Sequence, residues 1–185
     1  MPLVAEFKWG MGNTVPYGSL YDEVRRNNGF VDLRRRPDLA LTIAEGDGSD
    51  ALRSILIALA RPDSPLFSVG CDLGHGRIRR QPKHLREQAG GYIQLVASDY
   101  RSPSATAILK ALAETARRQL DEASGDEVWL ADFVMTEVQL NLDNYCDLTV
   151  SLWVWFHAQA ANGELAIASR ERLLCTLHSV LVAVR

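Results

Sequence analysis

Between residues 50 and 185 the apolar positions switch period several times, and the switches mark the elements. Leu52, Ile55, Leu56 and Leu59 recur at helical spacing after Ser49, a residue suited to cap a helix, and Pro62 ends the run. Phe67, Val69, Cys71 and Leu73 then alternate, as do Ile93, Leu95 and Ala97, so two strands follow this helix. Ser102 and Pro103 suit the entrance of a second helix, whose stripe is Ala105, Ile108, Leu109, Leu112, Ala113, Ala116 and Leu120. Two long strands, 127–142 and 146–160, lead to a last helix with Leu173, Leu174, Leu177, Leu181 and Val184 facing inward.

The first 45 residues lack such periodicity. Gly10, Gly12, Pro16 and Gly18 predict turns, 19–28 a short helix closed by Gly29, and 30–33 and 39–44 strands around the charged RRRPD. Counting from residue 39, the order predicts an α+β fold: a mainly antiparallel sheet with helices on one face, as a ferredoxin-like β-α-β-β-α-β core plus an extra C-terminal strand and helix. The alternative is a ββαββα sheet with the early strands peripheral. The length of 185 residues fits a single domain spanning 1–185, with 1–45 an irregular segment packing on the sheet.

The register of the long hairpin decides what each face carries, since a slip of one residue inverts a strand. A three-residue loop over 143–145 sets Leu148 opposite Leu140 and Val150 opposite Val138, whereas a two-residue loop sets them against Gln139 and Glu137. The first register pairs like with like. It also predicts a second face that is polar near the turn and aromatic further on, with Met135 beside Trp153, Phe133 beside Trp155, Ala131 beside His157, and Trp129 close by. Either the N-terminal segment, with Phe7, Trp9 and Tyr17, covers this patch, or it is an interface, as exposed apolar patches with tryptophan are. The partner-binding candidates are therefore Trp129, Phe133, Met135, Trp153, Trp155 and His157.

Composition narrows the classes. With 47% hydrophobic and 23% charged residues the chain can bury a full core unaided, and a net charge of −3 argues against general nucleic-acid binding. The N-terminus lacks signal-peptide features and no apolar run reaches the roughly 18 residues of a membrane span, so a cytoplasmic address is expected. Cys71, Cys146 and Cys175 are widely spaced and read as reduced apolar residues.

One island departs from the acidic balance. Residues 77–87 hold five cations and one acid, a net +4 that leaves −7 elsewhere, and Gly70, Gly74 and Gly76 precede them. Glycine amides and clustered arginines suit an anionic metabolite, with Gly74, His75, Gly76, Arg77, Arg79, Arg80 and Lys83 as candidate ligands in the 70–91 connection. No phosphate-loop or dinucleotide motif supports that reading, and a solvated connection is the blander one. Cys71, Asp72, His75 and His84 match no common zinc spacing, so no metal and no cofactor is expected. Asp132, by its strand parity, falls among buried residues opposite Phe156, where a carboxylate needs a partner or a raised pKa.

These readings favour a non-enzymatic cytosolic protein that binds a protein partner, or itself as a homodimer, through the aromatic face. Toxin-neutralising (immunity-like) or chaperone-like proteins of bacteria offer analogies of role. The alternative is an enzyme or sensor for an anionic small molecule at the basic island.

Overall fold

The computed structural model describes residues 5–7, 13–21, 26–78 and 82–184. In chain order the elements are β1 (Ala5–Phe7), β2 (Thr14–Val15), β3 (Leu20–Tyr21), β4 (Arg26–Asn27), α1 (Asp50–Leu59), β5 (Leu66–Arg77), β6 (Glu87–Ala97), α2 (Ala105–Ser124), β7 (Val128–Leu142), β8 (Tyr145–Ala160) and α3 (Gly163–Ala183). The fold is α+β. Its main sheet runs β1, β7, β8, β6, β5, and β2 joins β7 beside β1. Both short strands lie parallel to β7, so the sheet is mixed.

The core of the sheet is two antiparallel hairpins, β5/β6 and β7/β8, joined through an antiparallel β6/β8 pair. That is the ββαββα order with the early strands at the periphery; the ferredoxin-like order fails at its first strand. Residues 39–44, expected to be extended, instead form 3-10 turns over Pro37–Leu41 and Ala44–Gly46. Pro37 fixes the first turn, and Arg36 pairs with Asp38 (2.9 Å) within it. The helix expected over 19–28 is likewise replaced, where the chain is described, by the β3/β4 pair.

All three α-helices cover one face of the sheet, with α3 between α1 and α2. Ser49 caps α1, its side chain accepting from the Leu52 amide at 3.0 Å, and the predicted Leu52, Ile55, Leu56 and Leu59 are buried. Glu171 on α3 reinforces this end, accepting from Ser49 Oγ (3.0 Å) and the Ala51 amide (3.2 Å). Arg170, only 5% exposed, donates to Gly48 O and to Glu171. In α2 the apolar stripe is as predicted, and the helix begins after Ser104, whose amide donates to Ser102 Oγ (3.2 Å) two residues earlier. No helix among the described residues is long and apolar enough to cross a membrane.

The β7/β8 register differs from the expected one. Leu142 pairs with Tyr145, leaving a two-residue loop, Asp143-Asn144, with φ of 54° and 61°. Positive φ at both positions is the turn whose twist matches a hairpin, and Asp and Asn tolerate it. Relative to the expected register every β7 side chain therefore changes face: Phe133 and Met135 go under the helices, while Val138 and Leu140 go to the other side.

The half of that other face expected to be polar is thus a second small core. Val138, Leu140, Phe67, Val69, Val96 and Tyr100 are capped by Val15 and flanked by Tyr17 and Phe30 of the N-terminal segment. Arg34 lies over the Phe67 ring at 4.2 Å and bridges Asp32 (2.8 Å) to Asp143 (3.1 Å) at the hairpin tip. Arg35 joins Asp143 as well, and Arg101 donates to the Asp143 carbonyl. The N-terminal segment therefore covers the turn half of the face.

Candidate recognition face

Beyond that clamp Asn13 still meets Gln94 (3.3 Å), while Asp72, Trp155, Asp132 and Leu130 are exposed on the face away from the helices, which strand register arranges in cross-sheet rows. One row runs Asp72, Tyr92, Trp155, Asp132 across β5, β6, β8 and β7. The row toward the covered half is Gly70, Gln94, Trp153, Val134, and the row on the other side is Gly74, Gly90, His157, Leu130. Directly opposed residues share a face, so each row is a line of neighbours.

The rings form one cluster. Trp153 and Trp155 stack with planes 7° apart and centroids 5.5 Å apart, and Tyr92 lies 4.9 Å from each. Trp155 is 38% exposed and Leu130 is 42% exposed. Trp153 is held from the side of the covered half: its indole N–H donates to Thr136 Oγ1 (3.1 Å), which meets Ser151 Oγ (3.2 Å), which accepts from Gln94 Nε2 (2.9 Å). Gln94 and Ser151 are buried, so this chain of satisfied polar groups fixes the indole.

Glycine shapes the neighbouring row. A methyl group at Gly90 would collide with the Phe156 carbonyl and with Nδ1 of His157, so the imidazole lies over this position. A methyl at Gly74 would meet nothing within 4 Å, leaving a gap in the side-chain layer next to Asp72. Burial holds the His157 imidazole below its ordinary pKa, and the nearby Asp132 carboxylate partly offsets this. Burial likewise raises the Tyr92 phenol, with Tyr17 and Asp72 adding to it. Among the open-face positions of β5 to β8, from Gly76 and Gln88 through to the tip, there is no Lys or Arg.

The six expected partner-binding residues separate into two sets. Trp153, Trp155 and His157 come together on the open face. Phe133 and Met135 are buried under the helices, and Trp129 faces that side too, donating to Ser169 Oγ of α3 at 2.9 Å. Asp132, expected among buried residues opposite Phe156, is exposed opposite Trp155. The sequence reading missed Tyr92, Asp72 and Asp132 as members of this surface, because their placement follows only from the correct strand order and register.

The glycine and arginine stretch is not the loop that was expected. β5 runs through Gly74, His75, Gly76 and Arg77, and β6 resumes at Glu87, so the three glycines lie within a strand. Arg77 is paired with Glu87 at 3.1 Å. Lys83 is exposed in a 3-10 turn, and Arg79 and Arg80 lie outside the described residues. Ser68 to Gly70 carries a bulge, which turns Cys71 away from Phe67 and Val69 toward the helix side. Burial, then Glu45 and Asp72, push its thiol up to about 12.

Beside that bulge a cavity of about 300 Å³ lies between β5 and the 28–45 segment, lined by Tyr17, Phe30, Leu33, Ile43, Cys71 and Glu45 among others. No Lys or Arg lines it among the described residues. The described residues hold no group of three or more His, Cys, Asp and Glu placed to bind a metal. No family model, curated protein or solved structure matches the chain.

Proposed function

We propose that this chain is a protein-binding module of the cytoplasm whose recognition surface is the open half of the sheet, centred on Trp155. The supporting observation is the Trp155 indole: two fifths exposed and stacked on Trp153, which a buried polar chain anchors in turn, on the face the helices leave uncovered. Large rigid aromatic groups with a fixed orientation lose little entropy on contact, which is why tryptophan and tyrosine concentrate at binding hot spots. A toxin-neutralising or chaperone-like role would use such a face.

The open rows also bear on self-association. A symmetric dimer through this face would bring two copies of Asp72 and Asp132 together, with no Lys or Arg from the rows to pair with them. The reading therefore favours a heterologous partner over a second copy. The test is affinity capture from the native host, followed by calorimetry with the purified partner. Trp155→Ser should abolish binding, and Leu165→Ser, which alters an exposed leucine on α3, should leave it intact. A partner bound equally well by Trp155→Ser would overturn the proposal.

A further inference from the structure

The aromatic face is bracketed by charge of one sign, and the chain shows elsewhere what such a bracket holds. In the covered half, Arg34 lies over Phe67, 4.2 Å from the ring centroid, between the carboxylates of Asp32 and Asp143. Arg101 lies over both Tyr145 (5.3 Å) and Tyr100 (5.7 Å), and donates to the Asp143 carbonyl. Guanidinium suits these places because it is planar, weakly hydrated and able to stack on a ring while its edge reaches an oxygen.

The open half repeats the frame with no Lys or Arg on its rows among the described residues. Tyr92 and Trp155 sit side by side in one row with Asp72 at one end and Asp132 at the other. Strands lie about 4.8 Å apart, so the two carboxylate positions are roughly 14 Å apart, and a cation over the rings is within about 7 Å of each. That spacing is shorter than the screening length of about 8 Å at physiological salt. The gap over Gly74, beside Asp72, leaves room for an incoming side chain. The imidazole of His157, the remaining titratable group besides Tyr92 on these rows, is held toward its neutral form and adds no competing charge at pH 7.

We infer that the open face receives an arginine side chain of a partner protein, its guanidinium lying against the Tyr92 and Trp155 rings between Asp72 and Asp132. This rests on the recognition face proposed above and assigns its chemistry. A neutral apolar partner would leave both carboxylates beside an uncharged surface, and an acidic one would be repelled by them.

The test uses the full chain and a probe peptide, Ac-(Gly-Arg)4-NH2, against its citrulline and lysine counterparts, by calorimetry at low salt. The arginine peptide should bind at least tenfold more tightly than citrulline and more tightly than lysine, weakening as salt is raised. Asp72→Asn and Asp132→Asn, both at exposed positions, should each weaken it about threefold or more, and Trp155→Leu should remove it. Equal binding of the citrulline peptide, equal binding of the lysine peptide, or binding of a neutral oligosaccharide in place of the arginine peptide would each overturn the inference. Acrylamide quenching of wild type against Trp155→Leu separates the two levels of failure. No peptide binding with Trp155 quenchable sinks the arginine assignment alone, whereas an unquenchable Trp155 removes the recognition face as well.

Discussion

Alanine substitutions at Phe133 and Trp155 test the face assignment on which the recognition surface depends. Both are large rings on the β7/β8 hairpin, and the expected three-residue loop would have set them side by side on one face. In the structure Phe133 is fully buried in the helix-covered core and pairs with Val154, while Trp155 is 38% exposed on the other side. A buried aromatic ring removes about 200 Å² from water, worth about 5 kcal/mol at about 25 cal/mol per Å². Part of that is recovered by the alanine methyl, so Phe133→Ala should cost about 3–5 kcal/mol, the usual range for such truncations.

Trp155→Ala loses less. Its ring keeps two fifths of its surface in water, and its main contacts are the stacked Trp153 and Tyr92. The buried three fifths of the ring, less what the alanine methyl recovers, together with its aromatic contacts, gives an expected cost of about 2–3 kcal/mol. Urea unfolding followed by far-UV circular dichroism reads the difference without relying on indole emission. With a slope of about 2 kcal/mol per M, Phe133→Ala should lower the midpoint by about 1.5–2.5 M and Trp155→Ala by about 1–1.5 M. Equal losses, or a larger loss at Trp155, would refute the two-residue register and the open face with it.

Three further measurements probe other parts of the molecule. Glu171→Ala removes the carboxylate that accepts from Ser49 and the Ala51 amide, and it strands the buried Arg170 guanidinium. It should cost about 2–4 kcal/mol in urea unfolding, and a loss below about 1 kcal/mol would contradict the capping account. The folded-state pKa of His157 lies below its ordinary value, so the unfolded chain takes up its proton first as pH falls. Stability should therefore decline from about pH 6.5 downward through the folded pKa. His157→Gln should flatten that decline in midpoints taken between pH 7.5 and 5, and Asp132→Asn should steepen it. Finally, Ellman titration at pH 8 should count two prompt thiols, the exposed Cys146 and Cys175, with Cys71 reacting only after urea is added. Three prompt thiols would show the β5 bulge region to be open.

Helices and strands from residue 49 onward could be read from periodicity, because burial on one face imposes a period that no other force in the chain imitates. Register could not, because it was judged by matching apolar partners across the hairpin while turn chemistry decided it. Asp143-Asn144 is a pair able to hold φ of 54° and 61°, and that was the available signal. The mismatches that argued against it, Leu148 with Gln139 and Val150 with Glu137, are tolerated because they lie toward the tip, where Leu148 is 56% exposed and neither partner has to be desolvated. Segment 30–44 was misread for a related reason. Its apolar residues, Leu33 and Ala40 among them, are buried by irregular turns held by Pro37, by the local Asp32–Arg34 pair and by Asp143 at the distant hairpin tip, and such turns impose neither a helical nor a strand period. The same one-residue slip that moved Phe133 inward brought Asp132 out beside Trp155. An aromatic patch expected to be plainly apolar became an aromatic patch framed by carboxylates, and that frame is what makes a cation, rather than any greasy surface, its fitting occupant.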